Sequence, residues 1–221
     1  MNRPIITALL LPGMLAAVVA RAVQAQTDNV ASSRHNMSAR AGLTNYGEVC
    51  VYCHTPHGGP NSANAPLWNR AFGPGAGSYQ MYNQTWSSTV DMVVAATPQG
   101  VSLACLSCHD GTIGLDVVIN RPNADTSLAG SGATMPANAG QFFANLGTDL
   151  RNDHPISVTY SVAADAAFNA PDVNNRINGE LPLYSSRVEC GTCHNPHNTT
   201  YTPFLRKSNT SSNLCRTCHI K

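Results

Sequence analysis

Apolar residues come in short runs along this chain, separated by Gly, Asn, Ser and Thr. No long segment repeats them with a helical or a strand period. One run stands apart. Pro4 to Ala20 is mostly apolar, follows a basic start at Arg3, and leads to Val23-Gln24-Ala25, a small-residue cleavage site before Gln26. Pro12-Gly13 breaks this run, which falls short of the roughly 20 residues a spanning helix needs. Residues 1–25 are therefore expected to be a cleaved signal peptide rather than a membrane anchor. No later stretch is apolar enough to predict a transmembrane segment in the mature chain.

The rest of the pattern predicts mostly coil, with short helices and a few short strands. Gln26 to Thr44 is polar and expected to be extended. Gly58 to Ala65 is turn-rich, and Pro66-Leu67-Trp68-Asn69-Arg70 reads either as packing on the edge of a bound group or as a surface loop with one buried Trp. Ser88-Thr89-Val90-Asp91 has the form of a capping box and predicts a helix through Ala96, ended by Pro98 and Gly100. Asp110-Gly111 predicts a turn. Leu115 to Ile119 and Ile156 to Tyr160 are candidate strands. Asn120 to Asp153, rich in Gly, Ala, Asn and Ser, reads as a linker or long surface loop.

One pentapeptide pattern changes this picture. Cys-x-x-Cys-His occurs at Cys50–His54, Cys105–His109, Cys190–His194 and Cys215–His219. Residues at i, i+3 and i+4 share one face of a helical turn. That face presents two thiols, which can add to the two vinyl groups of a haem, and an imidazole that can reach the iron; the pattern reads as c-type haem attachment. The rival is a zinc ribbon, with Cys190/Cys193 and Cys215/Cys218 as two knuckles. A zinc site needs no His after every second Cys, and here all four pairs have one. The motifs use all eight cysteines: Cys50, Cys53, Cys105, Cys108, Cys190, Cys193, Cys215 and Cys218. The expectation is four covalently bound haem c groups, which would supply the large apolar surfaces the chain lacks.

The histidine count bears on what those groups do. Of eight histidines, His54, His109, His194 and His219 follow motif cysteines. His35, His57, His154 and His197 remain, four candidates for four distal positions. His57 and His197 recur in Cys-x-x-Cys-His-x-Pro-His. Three residues past its own proximal His, each is expected to ligate a neighbouring haem. Methionine is the competing ligand and would raise the potential; Met37, Met81, Met92 and Met135 are available, with Met37 beside His35. If every axial position holds imidazole, no iron is open to substrate. That predicts low-potential electron transfer and no enzyme activity.

The repeat divides the chain. His35, Cys50–His57 and Cys105–His109 form a first haem-pair half over residues 26–119. A connection covers 120–153. His154, Cys190–His197 and Cys215–His219 form a second half over 154–221. Pro203-Phe204-Leu205-Arg206 echoes Pro66-Leu67-Trp68-Asn69.

Charge adds a little. Charged residues are 11% of the chain, well under the usual ~25%, so copies repel one another weakly. Without Arg3 and Arg21, 11 of the 13 basic residues stand against 12 acidic ones. No basic patch points to nucleic acid.

The doubled motifs resemble the doubled-CxxCH multihaem cytochromes c. With Ala65-Pro66-Leu67-Trp68-Asn69-Arg70, Cys105 to Thr112 and Asp153-His154-Pro155, the chain is similar to the OmcE-type tetrahaem cytochromes. The resemblance implies a largely coiled protein, outside the cell or at its surface, that stacks into a filament carrying a continuous line of haems. It also implies that a distal ligand can come from the next subunit, with His35 the candidate. Other partners would be redox proteins or extracellular electron acceptors. The competing expectations are a soluble periplasmic electron shuttle and, further off, a subunit of a multihaem nitrite or hydroxylamine enzyme.

Overall fold

The structure, a computed structural model, describes residues 29–60, 65–74, 78–122, 129–138 and 143–220. The expected signal peptide, Gln26 to Asp28 and parts of the 120–153 connection lie outside these residues. Short apolar runs give short elements. Among the described residues the longest is helix α1, Gly100–His109, which carries the second motif. Four two-residue strands follow: β1 Val158–Thr159, β2 Arg176–Ile177, β3 Leu181–Pro182 and β4 Arg187–Val188. One-turn helices α2, Cys190–Cys193, and α3, Cys215–Cys218, carry the third and fourth motifs. The chain is mostly coil, as its sequence predicts.

β1 pairs antiparallel with β4, matching Val158 to Val188, and Val94 adds an isolated bridge to Val158. β2 and β3 form a hairpin with Ile177 opposite Leu181. Its turn holds Asn178 and Gly179, both at positive φ. That is the Asn-Gly signature of a tight hairpin turn.

Several local expectations are corrected. No helix forms over 88–96. Ser87 and Thr89 spend their hydroxyls on each other at 2.8 Å, the Gln84 side chain takes the Met92 carbonyl, and Val94 joins β1. The β-branched residues there suit that bridge better than a helix. Gly100 opens a helix instead of ending one. Leu115 to Ile119 is not a strand; its amides bond singly to separate partners, Leu115 N–H to the Ala133 carbonyl and Ile119 N–H to that of Asn69. The described part of the N-terminal arm is not extended. It makes two 3-10 turns, Val30–Ser32 and Met37–Ala39. The strand expected over 156–160 shortens to β1.

The apolar side chains form three small clusters. One gathers Met37, Tyr46, Tyr52, Leu115, Val118 and Met135 beside Cys53 and Cys108. A second gathers Met92, Val158, Tyr160, Ile177, Leu181, Leu183 and Leu214 beside Cys193 and Cys218. A third joins Tyr79, Met81, Leu106 and Leu150. The expected halves interlock: Met92 packs with the second half, and Met135 of the connection packs with the first. All four methionines weighed as ligands are buried in these clusters.

Buried polar groups tie the clusters together. Glu189 accepts from Ser102 Oγ at 2.5 Å and Ser157 Oγ at 2.9 Å and caps α2, so one carboxylate joins α1, the residue before β1 and the third motif. Asp116, fully buried, accepts the Thr44 and Ser131 backbone N–H groups, each at 2.7 Å. Burial pushes the Asp116 carboxyl up, but these bonds outweigh it and hold it below the usual 3.8. A depressed carboxylate stabilises the fold above its unfolded value and loses that contribution as pH falls through its folded one. Asp116→Ala should therefore cost about 1–3 kcal/mol at neutral pH, since two buried donors lose their acceptor. The gap to wild type should narrow below about pH 4. Thermal unfolding across pH measures both.

Candidate functional site

Each motif folds as one helical turn. The His54, His194 and His219 N–H groups bond back to the carbonyls of Cys50, Cys190 and Cys215 at 2.9, 3.0 and 2.9 Å. His109 ends α1 with its two cysteines inside the helix. Every motif therefore shows two thiols and an imidazole on one face. Gly111, at φ +71°, turns the chain out of α1 where a side chain would strain.

Three of these imidazoles are seated the same way. Nδ1 of His54 donates to the Pro66 carbonyl at 2.7 Å, that of His109 to Ala144 at 2.6 Å, and that of His194 to Pro203 at 2.9 Å. A carbonyl only accepts, so Nδ1 carries the proton and Nε2 keeps its lone pair for a metal. This bond to the far nitrogen is what orients metal-ligating histidines.

The loops that deliver the Pro carbonyls are built alike. Thr55 N–H bonds to Leu67 and Asn69 N–H to Cys53; in the second half Asn195 N–H bonds to Phe204 and Arg206 N–H to Cys193. The echo between residues 66–69 and 203–206 is thus a repeated seat. Pro66 to Arg70 is no plain surface loop: Asn69 and Arg70 are fully buried, and Trp68 stands edge-on to His54 at 5.7 Å.

Three of the four remaining histidines face a motif histidine. Ring centroids are 6.2 Å apart for His35 and His109, 6.1 Å for His197 and His54, and 6.4 Å for His154 and His219. An imidazole nitrogen binds a transition metal at about 2.0–2.1 Å, with its ring centre about 1.1 Å beyond, so two imidazoles on opposite sides of one metal have centroids about 6.3 Å apart. Direct ring stacking here is closer, 4.4 Å for His35 on Phe204. The donor set and spacing fit haem iron. Among the described residues His57 and His194 are not drawn together in this way. His57 is exposed, with its carbonyl accepting from Thr55 Oγ1 and Asn120 Nδ2.

His35 reaches His109 within its own chain. Its Nδ1 meets the Pro196 carbonyl at 3.3 Å, and Asn29 N–H bonds to the His197 carbonyl. Burial, then the His109 ring, holds His35 down to about 4, and burial also lowers His109. Both stay neutral and able to ligate at neutral pH.

None of the eight cysteines is in a disulfide. Cys50 and Cys215 are exposed. Burial pushes Cys53 and Cys218 up to about 12 and Cys193 to about 11. A thiol hydrogen bond raises Cys105 and lowers its partner Cys190, bringing α1 against α2. Among the described residues no group of three or more His, Cys, Asp or Glu is gathered to hold a metal ion, so the zinc-ribbon arrangement of the third and fourth motifs is not formed.

Residues 184–221 match the family model of the doubled CXXCH motif. No curated protein matches the chain. The matched segment contains α2 and α3, so the second half carries the paired attachment motif of multihaem cytochromes c. The motifs imply covalently bound c-type haem.

Sequence reading missed the buried seat at Asn69 and Arg70 and the carboxylate hubs Asp116 and Glu189. Nothing in local spacing marks a side chain whose partners lie 15 to 87 residues away. The facing rings predict that His197→Ala, once haem is loaded, shows one high-spin ferric haem per chain by EPR, and that adding His154→Ala gives two. A wholly low-spin His197→Ala protein would contradict the pairing.

Proposed function

We propose that this chain is an exported tetrahaem c-type cytochrome that carries electrons and catalyses no substrate reaction. Its cofactors would be four haem c groups on Cys50/Cys53, Cys105/Cys108, Cys190/Cys193 and Cys215/Cys218, with His54, His109, His194 and His219 as proximal ligands. The observation that carries the reading is the three imidazole pairs spaced for a six-coordinate iron. Bound haem would supply a one-electron Fe(III)/Fe(II) couple. The chain's own residues supply the rest. Backbone carbonyls fix the tautomers of His54, His109 and His194, and His35, His154 and His197 would close the opposite faces against substrate and water.

His57 completes the set by reciprocity. His197, three residues past His194, faces His54. The matching place for His57, three residues past His54, is opposite His194. Each Cys-x-x-Cys-His-x-Pro-His loop would then serve the other half.

Two assemblies compete. Resemblance and low charge favour stacking into an extracellular filament, since weakly charged copies approach easily. The approach of His35 to His109 within one chain supports a self-contained periplasmic shuttle.

Haem quantification should give four per chain, with a wholly low-spin spectrum. A resting high-spin haem in wild type would point to an open, catalytic iron and overturn the reading. Negative-stain microscopy separates the assemblies. If filaments form and persist in His35→Ala, the seat acts in cis; if they form only with His35 intact, it acts between subunits.

A further inference from the structure

Arg70 is fully buried, yet neither of the two ion pairs among the described residues involves it. Its guanidinium is caged by carbonyls. Nη1 donates to Leu115 at 2.8 Å and Val117 at 3.2 Å; Nη2 donates to Gly114 at 2.7 Å and Ser107 at 3.0 Å. Nε is buried with no partner. Such a charge is costly to bury unless it is compensated. Carbonyl dipoles can hold the cation in place, but they leave its charge standing.

The cation lies between two attachment motifs. Asn69, its neighbour, bonds to the Cys53 carbonyl, and Ser107, its acceptor, precedes Cys108. Two acids stand nearby. Asp110 is engaged by Tyr79 and Thr112. Asp116 is held by the Thr44 and Ser131 amides.

The repeat offers an internal comparison. The bonds of Asn69 to Cys53 and of Arg206 to Cys193 put Lys207 where Arg70 stands. Lys207 donates to Thr217 Oγ1, beside Cys218, at 3.0 Å, as Arg70 donates to Ser107 beside Cys108. It differs in having a carboxylate partner, the half-exposed Glu180. Around it, Arg206 and Glu189 bring one charge of each sign to α2, Arg206 Nε on the Gly191 carbonyl at 2.6 Å and Glu189 as its cap.

We propose that positions 70 and 207 are charge-tuning positions for the redox groups: Arg70 is a buried cation with no bonded carboxylate that raises the reduction potentials of the haems on Cys53 and Cys108, and the charge of Lys207 is offset by its ion pair with Glu180. This rests on the haem reading above. Adding one electron, here from an electrode, makes a site one unit less positive, so a fixed cation beside it favours the reduced form. In a water-poor interior the effect is screened little. Arg70 touches no reacting atom and acts as a positioning and electrostatic residue.

Spectroelectrochemical titration of the haem-loaded protein tests it. Arg70→Gln should lower two of the four midpoint potentials, and Arg70→Lys, which keeps the charge but loses the fork, should hold them near wild type. Glu180→Gln, at a half-exposed site that leaves the fold intact, should raise the potential of at least one other haem. A loaded Arg70→Gln protein with all four potentials unchanged overturns the proposal. So does Arg70→Lys shifting as far as Arg70→Gln. If Arg70→Gln fails to mature, Glu180→Gln decides: unmoved potentials overturn the proposal. Wild-type protein without covalent haem would instead sink the haem reading itself.

Discussion

A ring N–H held by a backbone carbonyl is the interaction the rest of this structure serves. It fixes which nitrogen of a histidine is free and which way the ring faces. The carbonyl cannot come from the histidine's own turn, whose acceptors are committed to the motif. It must be brought in: from Pro66 for His54, from Ala144 for His109, from Pro203 for His194. Each delivery needs a loop that leaves the motif, reverses and returns. Two loops do so with the same pair of backbone bonds, and the third spans the Asn- and Ala-rich connection. Regular secondary structure would spend these carbonyls on itself, which is why so little of it forms.

A chain that gives up regular elements gives up much of its core. The three apolar clusters are small, and motif cysteines lie at the edge of two of them. Polar hubs do the joining. Asn69 donates to the Val51 and Asn120 carbonyls and accepts from Asn120 N–H. Asp116 and Glu189 do similar work with donors from distant segments. A typical hydrogen bond adds only about 0.5–1.5 kcal/mol net, while an abandoned buried partner costs more. Such hubs therefore choose one arrangement of loops more than they stabilise it. Apolar porphyrin faces against these clusters would provide the missing burial.

What was legible in the sequence followed from covalent spacing. The four Cys-x-x-Cys-His turns rest on intervals of three or four residues, and the scarcity of regular structure on the missing long apolar period. The repeated Pro seat was visible as an echo, though not as a hydrogen-bond acceptor. Local rules failed where a distant partner outbid them. Ser88 to Asp91 has the letters of a capping box, but Val94 had β1 to pair with. Asn178-Gly179 was a readable hairpin signal that lay unread among polar residues. The fates of Arg70 and Asp116 were not readable at all, because their partners lie 15 to 72 residues away.

The repeat also explains why the two halves are not separate bodies. In a simple duplication each half would complete its own sites. Here His35 and His154 stay with their own halves, facing His109 and His219, while His197 crosses to face His54. The crossing is reinforced by Asn29 on the His197 carbonyl, His35 on that of Pro196, and Ser102 on Glu189. A half cut free would lose a ring at one site and leave a buried carboxylate or carbonyl without its donor. Exchange of a single histidine thus ties the two copies together. Once tied, loops that keep the same backbone seat can differ in side chains, as Arg70 and Lys207 do. The constraint that fixes ring geometry lies in main-chain atoms, and side-chain charge is left free to diverge around it.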